Sequence, residues 1–273
     1  MKKFIPFLCM VLMTVACKKD SDPAPVLLIS RVTVNGGIAY KFYYNNDNQI
    51  IRWELYGYET VGNPLNAEFE LEYSNGKLSI LSSFSEPGKV PSGRLLFEYD
   101  DNGRIIGHER YDLQGADPSE PDTWGVYQYA TNGRLSSVTI REENGDLRSR
   151  YNLTYFDDGA LKQRDEYDET VTNQLRLVSR VIYSLPLNVG VTGWEPIAVI
   201  PLDGDEITRT VRYDGIQRYS YTGGVLTNNR SEVISAREYN ADGTLKRHVL
   251  THKKILPASP DVVANWEFEY IRQ

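Results

Sequence analysis

Three histidines, two cysteines and several neighbouring carboxylates are the side chains with chemical reach in this 273-residue chain. His248 and His252 stand four apart, a spacing that on a helix would put both on one face to share a metal ion. They follow the Asp242-Gly243 turn in a strand-like run. On a strand, four residues span about 13 Å, too far for a common ion. Both are expected as exposed strand histidines, and so is the solitary His108. Carboxylates fall together at Asp117/Glu120, Asp165/Glu166 and Asp203/Asp205/Glu206. A glycosidase needs two of them about 5–10 Å apart across a sugar, and nothing sets one pair above the others. Asp100-Asp101-Asn102-Gly103 and Asp157-Asp158-Gly159 lack the spaced oxygens and distal Glu of a calcium loop. Their composition is that of tight turns. There is no Gly-x-Ser-x-Gly elbow, phosphate-binding glycine loop or metal-ligand cluster. No catalytic residue, metal or cofactor is therefore assigned. A Ser–His–Asp arrangement is spatial and stays open.

The four tryptophans divide by context. Trp53 and Trp266 lie in alternating runs and are expected in the core. Trp124, after Pro121-Asp122-Thr123, and Trp194, in Thr192-Gly193-Trp194-Glu195-Pro196, lie near loops. An indole there can stack on a sugar or a partner protein, or pack under its own loop. Trp124 and Trp194 are the candidate ligand-binding residues.

The formal charge is −7, with Lys and Arg scattered among acids. That argues against a nucleic-acid partner, which needs a Lys/Arg-rich face. At the N-terminus, Lys2 and Lys3 precede an apolar stretch, Phe4–Ala16, too short to span a bilayer as a mature helix. It ends at Thr14-Val15-Ala16-Cys17. This segment resembles a bacterial lipoprotein signal, in which cleavage precedes a cysteine that is then acylated. The resemblance implies that residues 1–16 and Cys9 are removed, that Cys17 carries lipid, and that the mature chain has no other cysteine. Loss of Lys2 and Lys3 takes the charge from −7 to −9. Residues 17–25, Cys17 followed by Lys18-Lys19-Asp20-Ser21-Asp22-Pro23-Ala24-Pro25, then form a lipidated, flexible tether. The short charged tether is similar to those of Bacteroidota-type lipoproteins, which implies an outer-membrane location without choosing the periplasmic or external face.

The elements that must carry any site are strands. Glu68–Tyr73 alternates strictly, with Phe69, Leu71 and Tyr73 on one face and Glu68, Glu70 and Glu72 on the other. After the Asn75-Gly76 turn, Leu78, Ile80 and Phe84 are expected to share a face. The same phrase recurs: apolar-x-Tyr, a short Asp/Asn/Gly turn, then x-Leu/Ile. Tyr44, Tyr73, Tyr99, Tyr129 and Tyr155 mark successive copies 29, 26, 30 and 26 residues apart. Each unit is thus one hairpin plus a connection. Pro186–Asp205 reads as a long irregular excursion. Val262–Asn265 is the one place where a helical turn is conceivable. The remainder gives about sixteen to eighteen strands in one domain, residues 26–273.

Tyr99-Asp100-Asp101-Asn102-Gly103-Arg104-Ile105 resembles the YD-type repeats of bacterial surface and secreted proteins. The chain is also similar to a group of lipoproteins of unknown function with a porin-like fold, which implies a fold and no activity. Sequential hairpins build an all-β, up-and-down antiparallel sheet. At this width it must curl or close into a wide or flattened barrel. Membrane insertion is disfavoured, because Glu68/Glu70/Glu72, Arg150 and Glu267/Glu269 put charge opposite the apolar face. The expected function is that of a lipid-anchored, non-enzymatic envelope protein binding a glycan, another ligand or a surface protein. A polysaccharide hydrolase and a structural subunit of an outer-membrane assembly are the alternatives. Function is expected in the interruptions of the repeat, Asp112–Thr123 and Pro186–Asp205.

Overall fold

The computed structural model describes residues 27–57, 62–85, 88–159, 161–169, 175–183, 215–222, 225–241, 243–256 and 260–272. These form sixteen strands: β1 (Leu27–Val34), β2 (Gly37–Tyr44), β3 (Ile50–Tyr56), β4 (Leu65–Ser74), β5 (Lys77–Ser85), β6 (Val90–Tyr99), β7 (Ile105–Asp112), β8 (Thr123–Tyr129), β9 (Leu135–Glu142), β10 (Leu147–Tyr155), β11 (Leu161–Glu169), β12 (Leu175–Tyr183), β13 (Gly215–Thr222), β14 (Val225–Tyr239), β15 (Leu245–Leu256) and β16 (Val262–Arg272). There is no helix among the described residues. Val262–Asn265, where a helical turn was conceivable, opens β16 instead. Each strand pairs antiparallel with its sequence neighbours, and β1 pairs with β16 from Leu27↔Arg272 to Val34↔Trp266. The sheet is therefore a closed up-and-down barrel, which leaves no edge for another chain to extend.

The apolar face points inward. Phe42, Trp53 and Phe69 stand side by side on β2, β3 and β4, with the rings of Trp53 and Phe69 4.4 Å apart and nearly parallel. Val32, Val138, Leu250 and Phe268 are buried in the same cluster. The acidic face of β4 points outward, as its alternation predicts. There Lys89 bridges Glu68 and Glu70, and Tyr43 and Tyr56 both donate to Glu54. An open sixteen-strand ring would enclose a water-filled channel. Here Trp53 and Val138 are almost wholly excluded from solvent, so side chains fill much of the lumen.

The repeated phrase has a structural cause. Three-residue turns close with the third residue left-handed, as at Gly103, Gly133, Gly145 and Gly243. Asn48 takes that place in the first copy, at φ 63°, a conformation Asn tolerates. Past each turn the return strand carries one extra residue: Ile51, Ser79, Ile106, Ser136, Lys162 or Lys246. This bulge turns residues three apart to the same side. Ile50 with Trp53, Leu78 with Leu81, Ile105 with His108 and Leu245 with His248 all point inward and are buried. The expectation that Leu78, Ile80 and Phe84 share a face is thereby corrected. Ile80 pairs with Glu72 and Phe84 with Glu68, on the outer side. His108 and His248 are likewise core residues, not exposed ones, because each occupies the second inward position after a bulge.

The motif tyrosines complete the device. Four of them, and Tyr270 near the end of β16, donate the phenol to a carbonyl on the preceding strand: Tyr44 to Ile29, Tyr73 to Ile50, Tyr99 to Leu78, Tyr129 to Ile105 and Tyr270 to Leu245, at 2.6–2.8 Å. Every one of these carbonyls lies beyond the last residue pair between its two strands. The phenol thus supplies the hydrogen bond that the backbone ladder no longer provides. Burial raises the Tyr73 phenol to about 12, so it stays a donor. All these tyrosines cluster at one end of the barrel, hereafter the tyrosine end.

Candidate functional site

The end opposite the tyrosines is built differently. The inward positions there are small and polar: Ser83 on β5, Gly93 on β6, Thr123 on β8 and Ser149 on β10. A β-carbon on Gly93 would lie 2.9 Å from the Ser83 hydroxyl oxygen, so glycine here keeps the strands close and the space open. Ser83 and Ser92 share a hydrogen bond of 3.0 Å. Together these residues leave a cavity of about 430 Å³ in the mouth of the lumen, within the size range of small-molecule sites.

Its floor is apolar, with Phe69, Leu81, Leu95 and Ile140. His108 lies beside them, its Nδ1 3.0 Å from the Tyr127 hydroxyl. The imidazole lies against Gly125, where a β-carbon would come within 2.1 Å of the ring. Burial, and secondarily the nearby Arg110 charge, lowers the His108 pKa to about 4. The ring is neutral at physiological pH. Tyr151 forms one wall. It donates to Glu166 at 3.2 Å, and its ring faces the guanidinium of Arg164 at 5.4 Å. Burial raises that phenol to about 12.

Arginines border the opening. Arg110 and Arg148 reach only loose counter-charges, Asp122 at 4.0 Å and Glu142 at 3.6 Å, and about half of each side chain is exposed. Arg94 also borders the cavity, but its guanidinium lies 4.9 Å from the Tyr111 ring. Among the described residues the lining contains no carboxylate. The arrangement offers cationic donors, hydroxyls and an apolar floor. That is equipment for holding a small molecule and lacks the paired carboxylates of glycoside hydrolysis.

Of the carboxylate pairs that the sequence brings together, Asp165 and Glu166 point to opposite faces of β11. Asp165 faces outward in a two-point pair with Arg180, at 2.7 and 2.8 Å, while Glu166 faces inward to Tyr151. Asp117 caps its own turn through Ser119. Among the described residues no group of three or more His, Cys, Asp or Glu side chains is placed to hold a metal ion. Trp124 stands on the outer wall between Glu109 and Arg141, half-buried, beside a separate depression of about 330 Å³ that Glu98, Ile106 and Val126 also border. It does not reach the lumen cavity. Cys17 and the whole excursion Pro186–Asp205, with Trp194, Asp203 and Asp205, lie outside the described residues, as does Glu206. The other expected interruption, Asp112–Thr123, does flank the cavity, which begins at Arg110 and Thr123 on its two sides. The cavity residues themselves carry no sequence signal, since serine, threonine and glycine inside a strand pattern look like ordinary variation.

No family model and no curated protein matches the chain. Solved structures do. A porin-like protein from Bacteroides uniformis ATCC 8492 superposes with a TM-score of 0.53 at 11% identity, over 89% of this chain and 96% of that one. A porin-like protein from Bacteroides vulgatus ATCC 8482 gives 0.49 at 10% identity, over 89% and 99%. The chain thus has a porin-like barrel fold, as its resemblance in sequence implies. At this identity the likeness concerns fold alone.

Proposed function

We propose that this protein is a lipid-anchored barrel of the cell envelope that binds a small polar ligand in the mouth of its lumen, without catalysis. The observation that carries the reading is the cavity of about 430 Å³ in a barrel whose outer wall is charged. On that wall Arg31 pairs with Glu269 and Lys89 with Glu70, all four side chains exposed to water. An arginine or lysine there would cost on the order of 2–4 kcal/mol facing lipid at mid-bilayer, and a glutamate less. The wall is therefore suited to water, and attachment falls to the acylated Cys17 on the outer membrane.

Topology gives the anchor a direction. β1 starts at the tyrosine end, where Ile29 accepts from Tyr44, and the cavity lies at the other end. Residues 18–26 span at most about 30 Å when extended. A lipid on Cys17 holds the tyrosine end toward the membrane and presents the mouth away from it. A glycan or surface-protein fragment is the kind of partner such a mouth can meet.

The test is a thermal-shift screen of neutral, acidic and basic small metabolites, repeated on Ser92→Trp, which fills the mouth from a half-buried position. A ligand that raises the midpoint of the parent protein and not of the filled variant supports the reading. Shifts of equal size in both proteins, or none in either, contradict it.

A further inference from the structure

The chemistry of the cavity specifies more than its presence. Two arginines, Arg110 on β7 and Arg148 on β10, border it on opposite sides of the loop between β7 and β8 and of the hairpin that follows. Their protein counter-ions sit at 4.0 and 3.6 Å, beyond good hydrogen-bond length, with all four side chains at least a third exposed. Exposed pairs of this kind contribute little, so both arginines retain donors for a stronger acceptor. A planar carboxylate or a phosphate takes two parallel N–H bonds from one such group. The same lining holds the hydroxyls of Ser83, Ser92, Thr123 and Ser149, with Thr123 across from Arg110, and Ser83 and Ser149 across from the apolar Phe69 and Ile140. Hydroxyls both donate and accept, and suit a ligand whose body carries hydroxyl groups.

Resting on the reading of the mouth as a binding site, we infer that its ligand is a small organic anion with a hydroxylated body. Arg110 and Arg148 take the anionic group, the serine and threonine hydroxyls take the hydroxylated body, and the apolar floor takes its C–H face. The anionic group is a carboxylate, as in an acidic sugar, or a phosphate, as in a sugar phosphate. Neutral His108 at the floor adds no charge of its own and leaves the arginines as the source of selectivity.

Isothermal titration of the intact protein with D-glucuronate, D-glucose 6-phosphate and D-glucose, against the parent, Arg110→Gln, Arg148→Gln and Ser92→Trp, tests this. The expected result is binding of one or both anions at least about ten-fold tighter than glucose, weakened about ten-fold by either arginine substitution and abolished by Ser92→Trp. Which anion binds tighter identifies carboxylate or phosphate. Equal binding of glucose and the anions, lost in Ser92→Trp, overturns the anion assignment and leaves the mouth as a site. Anion binding that survives Ser92→Trp overturns the lumen reading itself. Absence of binding by all three overturns the anion assignment. Unchanged thermal midpoints in the two arginine variants exclude misfolding as the cause of any loss.

Discussion

Burial of His108 against Gly125 and Tyr127 sets protonation against folding. The folded-state pKa is lowered to about 4 by desolvation, while the unfolded chain titrates near 6.5. The stabilisation is whole above pH 6.5 and is lost as pH falls from there toward 4, because the unfolded state takes up the proton first. Between pH 6.5 and pH 5 the loss is about 2 kcal/mol. Urea unfolding at the two pH values checks this, and His108→Gln, which cannot titrate, is expected to flatten that part of the profile. The ladder tyrosines make a second residue-scale case. Tyr73→Phe removes the donor to the Ile50 carbonyl and is expected to cost about 1 kcal/mol in the same measurement. The tyrosines were legible in the sequence as a repeated mark. Their purpose was not, since the acceptor carbonyls lie 15 to 25 residues away and are selected by where strand pairing stops.

The hairpin with its bulge is the unit at the next scale. Strict alternation from Leu78 would put Ile80 inside, whereas the bulge at Ser79 puts Leu81 there. Leu81→Ala is therefore expected to cost about 3 kcal/mol, in the range for emptying a packed core site, and Ile80→Ala less than about 1 kcal/mol. Equal effects would contradict the register. In the turns, Gly103 has φ 80°, so Gly103→Ala is expected to cost about 1–2 kcal/mol, measured by chemical denaturation. Turn positions and strand count could be read from the Asn/Asp-Gly spacing, because those residues alone meet the backbone demand cheaply. The bulges could not. Bulged residues as different as Ile51, Ser79 and Lys162 show that the extra position is set by the turn geometry and leaves the side chain free.

At the scale of the molecule, two properties follow from the same alternation. The apolar face closes on itself around Trp53, Val32 and Val138, and the face that carries Arg31, Glu70, Lys89 and Glu269 lies outside it. The sequence showed both faces and the need to close; it did not show where the lumen stays open, because that depends on small residues of β5, β6, β8 and β10 meeting in space. Membrane attachment is expected to depend on one residue: Cys17→Ala should abolish incorporation of labelled fatty acid and release the protein from membranes. The most direct test of the central claim, a barrel packed within and polar without, is the behaviour of the chain from Lys18 onward in buffer free of detergent. A monodisperse, β-rich protein with a cooperative unfolding transition is the expected result. A chain that aggregates in buffer and folds only when micelles are supplied would contradict it.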